Sequence, residues 1–215
     1  MADNYLGRKM EEYEAQKCAS VRTRRVSLVS LLAKNRSTRG YDSSFKVRKD
    51  QLISLVEAAR LAPSAMNQQT LRYRLVTEEE AHLVAPHIRM GAALRELNLP
   101  LPGTEPNAFV VICSDKEGRF VDMDLGIATQ TILLRAVEMG LNGLCIAAFD
   151  KERVREALQL PITPQLILAI GRSAERIEVV DITEGESQTY YRKNGTHFVP
   201  KIKVEELIIK MSWNG

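Results

Sequence analysis

The chain has 215 residues, enough for one sizeable domain with its own core, and its 45% hydrophobic content excludes wholesale disorder. No apolar run approaches the ~20 residues that a bilayer crossing needs, and the polar start Met1-Ala2-Asp3-Asn4-Tyr5 has no signal-peptide core, so no membrane partner is expected. The net charge of +3 is modest; the early cluster Arg22, Arg24 and Arg25 comes without any nucleic-acid fold signature, and no nucleic-acid partner is expected either. Cys18, Cys113 and Cys145 show neither a pairing framework nor metal-ligand spacing, and His82, His87 and His197 are scattered. A reduced, cytoplasmic compartment and no metal site fit these residues.

Residues 1–25 read as a charged N-terminal arm with a helix over Arg8 to Lys17, and 26–215 as the compact domain. Leu28, Leu31 and Leu32 recur at helical spacing. A second helix carries Leu52, Ile53, Leu55, Val56, Ala58 and Ala59 and stops near Pro63. Strands are expected at Leu71 to Thr77 and Ala108 to Ser114, with a helix over His82 to Leu97 and an irregular Pro/Gly loop between them. From Asp124 to Met139 the pattern is helical and apolar on nearly every side, which predicts burial in the protein or in an oligomer interface, with Asp122 or Asp124 as its cap. Gly140-Leu141-Asn142-Gly143 breaks that helix; a strand over Leu144 to Phe149, an amphipathic helix from Asp150 to Leu160, and a last clear strand over Leu166 to Ile170 follow. The tail carries Tyr190-Tyr191-Arg192, Phe198 to Val204 and a short helix. Helices packed on a small, mostly antiparallel sheet predict an α+β fold.

Two short segments carry the chemistry. Asn35-Arg36-Ser37-Thr38-Arg39 places two guanidiniums and a hydroxyl where a helix gives way to a loop, and a guanidinium offers anions a permanently charged, forked donor set. Ala62-Pro63-Ser64-Ala65-Met66-Asn67-Gln68-Gln69 is a Pro-Ser turn followed by three carboxamides, which donate and accept at once and suit the edge of a heterocycle. Together they point to a phosphorylated, ring-bearing ligand. Glycine fingerprints for dinucleotides or P-loops are absent, as are H-E-x-x-H and G-x-S-x-G, and no nucleophile stands with its base. Cys113, inside an apolar run, reads as a small buried hydrophobe.

These segments resemble the flavin-binding signatures of the nitroreductase family, R-S-x-R and, further on, P-S-x-x-N-x-Q; with two more matches the likeness runs from Leu28 to Ile209. The resemblance implies bound FMN, an intertwined homodimer and chemistry on the flavin, with no catalytic protein side chain. It puts Arg36, Ser37 and Arg39 on the phosphate and ribityl chain, with Arg39 near the N1–C2 carbonyl edge, where a cation stabilises the reduced flavin. Asn35 stands where many members carry a further Arg, so part of the phosphate charge must be met elsewhere. Pro200-Lys201-Ile202-Lys203 resembles the family's P-K-x-[RK], whose basic pair contacts the phosphate, and strand alternation points Lys201 and Lys203 to one side. From the partner subunit, Pro63 would pack on the ring while Ser64 and Asn67 hydrogen-bond it; Gln69 matches the motif, with a flavin-binding or a structural role. Cys145, Ile146, Ala147 and Ala148 correspond to the strand and turn beside the isoalloxazine, where a backbone N–H reaches N5. Thr70-Leu71 replaces the Pro-Trp of many members, which bears on substrate class. The implied function is ping-pong hydride transfer from NADH or NADPH through flavin N5 to a small electron-poor acceptor: a nitroaromatic, quinone or activated alkene. The alternatives are other flavin chemistry on the same fold, reductive dehalogenation or oxidation, and a non-catalytic flavin-binding protein.

Overall fold

Four strands, β1 (Arg72–Val76), β2 (Ala108–Cys113), β3 (Asn142–Ile146) and β4 (Pro164–Gly171), pair antiparallel in the order β1-β2-β4-β3. The computed structural model describes residues 26–91 and 94–209; the expected N-terminal arm and its helix over Arg8 to Lys17 lie outside them. β2 is apolar and buried at every position because both faces of the sheet are covered, which removes the polar alternation of a half-exposed strand. One face packs Val110, Ile112, Leu168 and Ile170 under Leu52 and Leu55 of α2 (Lys49–Arg60) and Ile132 of α4 (Arg119–Glu138). The opposite face sets Phe109, Val111, Ile146 and Ile167 against Val154 of α5 (Lys151–Ala157). α1 (Leu28–Lys34), capped by the Ser27 hydroxyl, lies beside α4, and Asp150 caps α5.

A second sheet, invisible as such in the sequence pattern, orders β5 (Arg176–Ile182), β6 (Tyr191–Lys193) and β7 (Thr196–Ile202) as β5-β7-β6, with β5 parallel to β7 and α6 (Val204–Leu207) following. Asn194 and Gly195 both have positive φ (51° and 76°) and join β6 to β7 as a two-residue hairpin, the turn that an Asn-Gly pair favours. The α+β class holds, with two sheets instead of one.

Three expectations are corrected. The helix over His82 to Leu97 does not form: α3 (Glu78–Ala81) is followed by single 3₁₀ turns at Ala85–His87 and Arg95–Leu97. Pro86 has no N–H to give a helix and restricts the residue before it, and Ile88 is drawn into a bridge with Phe149. α4 begins at Arg119, ahead of Asp124, so neither Asp122 nor Asp124 caps it; Gly118 holds the cap position at φ 117°. The buried Asp124 carboxylate instead accepts the Ala65 N–H at 2.9 Å. β3 starts two residues earlier than expected and contains Gly143, because a Cβ there would meet Leu133 Cδ2 at 2.5 Å and the Ala169 carbonyl oxygen at 2.9 Å. Among the described residues no helix is long and apolar enough to cross a membrane.

Candidate functional site

The segment after α1 is a strap pinned from several sides. Thr38 N–H donates to the Gly143 carbonyl at 3.2 Å, bridging Ser37 to the outer edge of β3. Asn35 Nδ2 donates to Gln130 of α4 at 3.4 Å, and Asn142 Nδ2 reaches back to the Lys34 carbonyl at 3.0 Å. Beneath the strap the buried Tyr41 hydroxyl donates to the Thr38 carbonyl at 2.8 Å; burial raises its pKa far enough that it remains a donor.

This strap faces β7 across a cavity of about 270 Å³ lined by Asn35, Arg36, Ser37, Arg39, Tyr190, His197, Val199 and Lys201. His197, Val199 and Lys201 alternate along β7 and so share one face of it. Arg39 is buried: its Nη1 donates to the Ser37 carbonyl at 3.0 Å and lies 3.4 Å from His197 Nε2, and its guanidinium sits 4.6 Å from the centre of the Tyr190 ring. The Arg39 backbone N–H donates to Glu175 Oε2 at 2.6 Å, while the other Glu175 oxygen takes the guanidinium of Arg192.

Charge and hydrogen bonding in this cluster are both unbalanced. Arg36, Arg39 and Lys201 line the cavity with no carboxylate among its lining residues, and Glu175 behind them is taken by Arg192 and the Arg39 backbone N–H. Arg36 Nε, Arg39 Nε, Arg192 Nε and His197 Nδ1 are buried without a partner. A buried polar atom left unpaired costs about 1–3 kcal/mol. A surplus of cations with unmet donors is the electrostatic complement of an anion.

A guanidinium has no acceptor, so His197 Nε2 must receive the Arg39 contact, and the neutral ring carries its proton on Nδ1. Burial first, then Arg39 and Arg192, push the His197 pKa from 6.5 down to about 4. The unfolded chain therefore takes up this proton near pH 6.5, and the fold only near pH 4. Wild-type protein is expected to lose stability relative to His197→Phe as the pH falls from about 6.5 to about 4, with a constant difference above that window. Thermal unfolding of both proteins across the range checks this; a gap that does not change with pH sinks it.

The second motif lies elsewhere. Pro63, Ser64 and Gln69 line a cavity of about 390 Å³ with Tyr73 and Asp124, and this cavity shares no lining residue with the first. Met66, Asn67 and Gln69 all have positive φ (51°, 53° and 48°), a conformation costing roughly 1–2 kcal/mol for a residue other than glycine. The loop is held in it by the Asp124 bond to Ala65 and by the Gln69 N–H donating to the Ser64 hydroxyl at 3.2 Å. Asn67 is exposed and outside both cavities, bonded to the Gln69 side chain at 3.2 Å.

Along β3, Ile146 enters the core while Cys145, Ala147 and Ala148 are exposed. The Gly143 carbonyl points outward to Thr38, so Cys145, two residues on, also turns its amide to the outer edge. Past the Ser37 bridge, no strand pairs with that edge among the described residues until Phe149 bridges to Ile88, with the Arg89 N–H on the Ala148 carbonyl at 2.9 Å. Although the residue is exposed, protein atoms around its sulfur partly desolvate it and raise the Cys145 pKa, which keeps it a thiol. Lys203 lies beyond the end of β7, exposed and outside the cavity, with its N–H on the Ile182 carbonyl at 3.0 Å. Sequence reasoning passed over Tyr190, His197, Glu175 and Arg192; the signal for His197 was its alternation with Lys201 behind the Asn194-Gly195 hairpin.

A model of the nitroreductase family matches residues 32–112 and 107–172. The chain belongs to the nitroreductase family. A protein of Methanocaldococcus jannaschii that carries the nitroreductase name is 31% identical over 64 residues, which span 30% of this chain and only 32% of that protein. The solved FMN-dependent nitroreductase of Clostridium difficile R20291 is 27% identical, with a TM-score of 0.53 over 69% of this chain and 89% of its own. A nitroreductase family protein of Streptococcus pneumoniae shares the fold at 18% identity, with a TM-score of 0.62 over 86% of this chain and all of its own. In this chain the strap residues Asn35 to Arg39 lie inside the matched stretch, whereas Tyr190, His197, Val199 and Lys201 lie beyond it.

Proposed function

We propose that the chain is an FMN-dependent oxidoreductase that moves hydride from NADH or NADPH to an electron-poor acceptor such as a nitroaromatic, quinone or activated alkene. One observation carries the reading: the strap residues Arg36, Ser37 and Arg39 and the distant Lys201 line one cavity whose buried nitrogens lack partners. A phosphate dianion meets both deficits, and the FMN-dependent relative from Clostridium difficile supports the choice of cofactor. When bound, FMN supplies the redox step by accepting and returning the hydride. The protein's part is to bind, orient and polarise. Arg36, Ser37, Arg39 and Lys201 hold the phosphate and the adjoining ribityl chain. Extended chain advances about 3.3 Å per residue, so the outward amide of Cys145 and the small Ala147 offer backbone to a planar ring about 7–13 Å beyond the Ser37 bridge. The Ala148 carbonyl just past them already takes the Arg89 N–H at 2.9 Å.

The loop of Pro63, Ser64, Asn67 and Gln69 belongs, on this reading, to the ring site of a second copy in a homodimer. Phe120, Met123 and Ile127 support that, standing at helical spacing on α4 and exposed at 49%, 54% and 38%. Leu28, Val29 and Leu32 of the neighbouring α1 are exposed with them, an apolar area that water covers poorly. Cys113 and Cys145, both free thiols, accord with the reducing cytoplasm.

The test is the visible spectrum of the purified protein and the identity of what heat releases from it. A yellow protein that yields FMN and bleaches anaerobically with NADH or NADPH is the expected result. Bound FMN that neither nucleotide bleaches leaves the binding role alone, and a colourless protein that cannot be loaded with FMN overturns the reading.

A further inference from the structure

We propose that His197 is a further ligand of the cofactor's anionic tail, donating a hydrogen bond from Nδ1 into the cavity lined by Arg36, Ser37, Arg39 and Lys201. The inference rests on the FMN reading and names a residue that neither flavin motif contains. His197 lines the cavity, is 2% exposed, and packs its ring on Tyr190 with centroids 5.3 Å apart. Phenylalanine would satisfy that packing without introducing a polar atom. The imidazole instead brings a buried Nδ1 with no partner in the protein. Its Nε2 is committed to Arg39, and the guanidinium there can only donate, so the proton is fixed on the other nitrogen. A buried, oriented N–H beside three cations and a hydroxyl is suited to a phosphate oxygen.

The strap has a matching shortfall. Asn35 stands where the resembled signature often has arginine, and its amide is spent on Gln130 at 3.4 Å. His197 supplies the missing donor from the opposite wall. Held neutral between Arg39 and Arg192, it adds a hydrogen bond without adding a third positive charge to that wall. The lysine on its own face of β7, Lys201, adds the charge instead.

The experiment titrates flavin-free full-length protein with FMN and with riboflavin, which lacks the phosphate, following flavin fluorescence, alongside the melting temperature without ligand. His197→Phe is expected to weaken FMN roughly ten- to a hundredfold, the range for one hydrogen bond to a charged acceptor. Riboflavin should bind this variant as it binds the wild type. His197→Asn, whose amide nitrogen falls near the Nδ1 position, should recover most of the FMN affinity, and His197→Gln, whose amide reaches towards Nε2, should not. Should His197→Phe fail to fold, the Asn and Gln pair decides by itself. Wild-type FMN affinity in the Phe variant, an equal loss for both flavins, or equal affinities in the Asn and Gln variants overturns the role of His197 and leaves the cofactor reading standing. A wild-type protein that binds neither flavin overturns both.

Discussion

Alanine at position 39 is expected to leave the purified protein almost free of flavin. Arg39 is the buried cation of the cavity, and among the described residues its side chain bonds the Ser37 carbonyl, His197 and the face of Tyr190. Glu175 does not depend on that guanidinium: it keeps Arg192 and the backbone N–H of residue 39, which alanine retains. The substitution therefore strands no buried carboxylate, and its cost falls on the ligand more than on the fold. A forked guanidinium on a phosphate makes up to two charge-assisted bonds, so FMN affinity should fall about a hundredfold or more. Arg39→Lys keeps the charge without the fork and should lie between. The flavin-to-protein ratio after purification and the dissociation constant of reconstituted FMN measure this. A yellow Arg39→Ala protein with wild-type affinity removes Arg39 from the site.

Gly143→Ala should be the most damaging small substitution on the sheet. The added methyl would lie 2.5 Å from Leu133 Cδ2, 2.9 Å from the Ala169 carbonyl oxygen and 3.1 Å from Ile170 Cδ1. A leucine methyl can turn aside; a carbonyl oxygen inside the β3–β4 ladder cannot move without breaking register. Overpacking of this kind costs about 1–3 kcal/mol, and the fixed oxygen puts this case near the upper end. Because Gly143 also holds Thr38, the strap should shift and carry Arg36 and Ser37 with it. Denaturant unfolding gives the stability loss, and FMN affinity gives the strap's displacement. An alanine variant with unchanged midpoint and affinity would mean that β3 moves away from α4 freely.

The parts of this fold that were legible in the sequence are those where one strong pattern acts locally. β2 and β4 announce themselves as apolar runs, and α2 as a repeating apolar stripe that ends before Pro63. Where local and tertiary signals compete, the sequence misleads. The apolar spacing after Thr77 looks helical, yet Pro86 and the Ile88 bridge to Phe149 outweigh it. β5 was passed over because only one of its seven residues is buried, so its alternation is faint. In the cavity, Arg36, Ser37, Arg39 and Lys201 stood out by residue type. His197 did not, since a lone histidine has meaning only once β7 sets it beside Arg39.

Arg39 and His197 are 158 positions apart in the chain, and their contact closes the cavity. The four-stranded sheet and its helices are complete by Gly171, before β7 has been synthesised. A nascent chain can thus bury its main core while the binding cavity still lacks one wall. On the FMN reading, cofactor capture would belong to the last stage of maturation, after the C-terminal strands have emerged. Premature termination between Gly171 and Thr196 would yield a chain with its four-stranded sheet intact and no closed anion cavity.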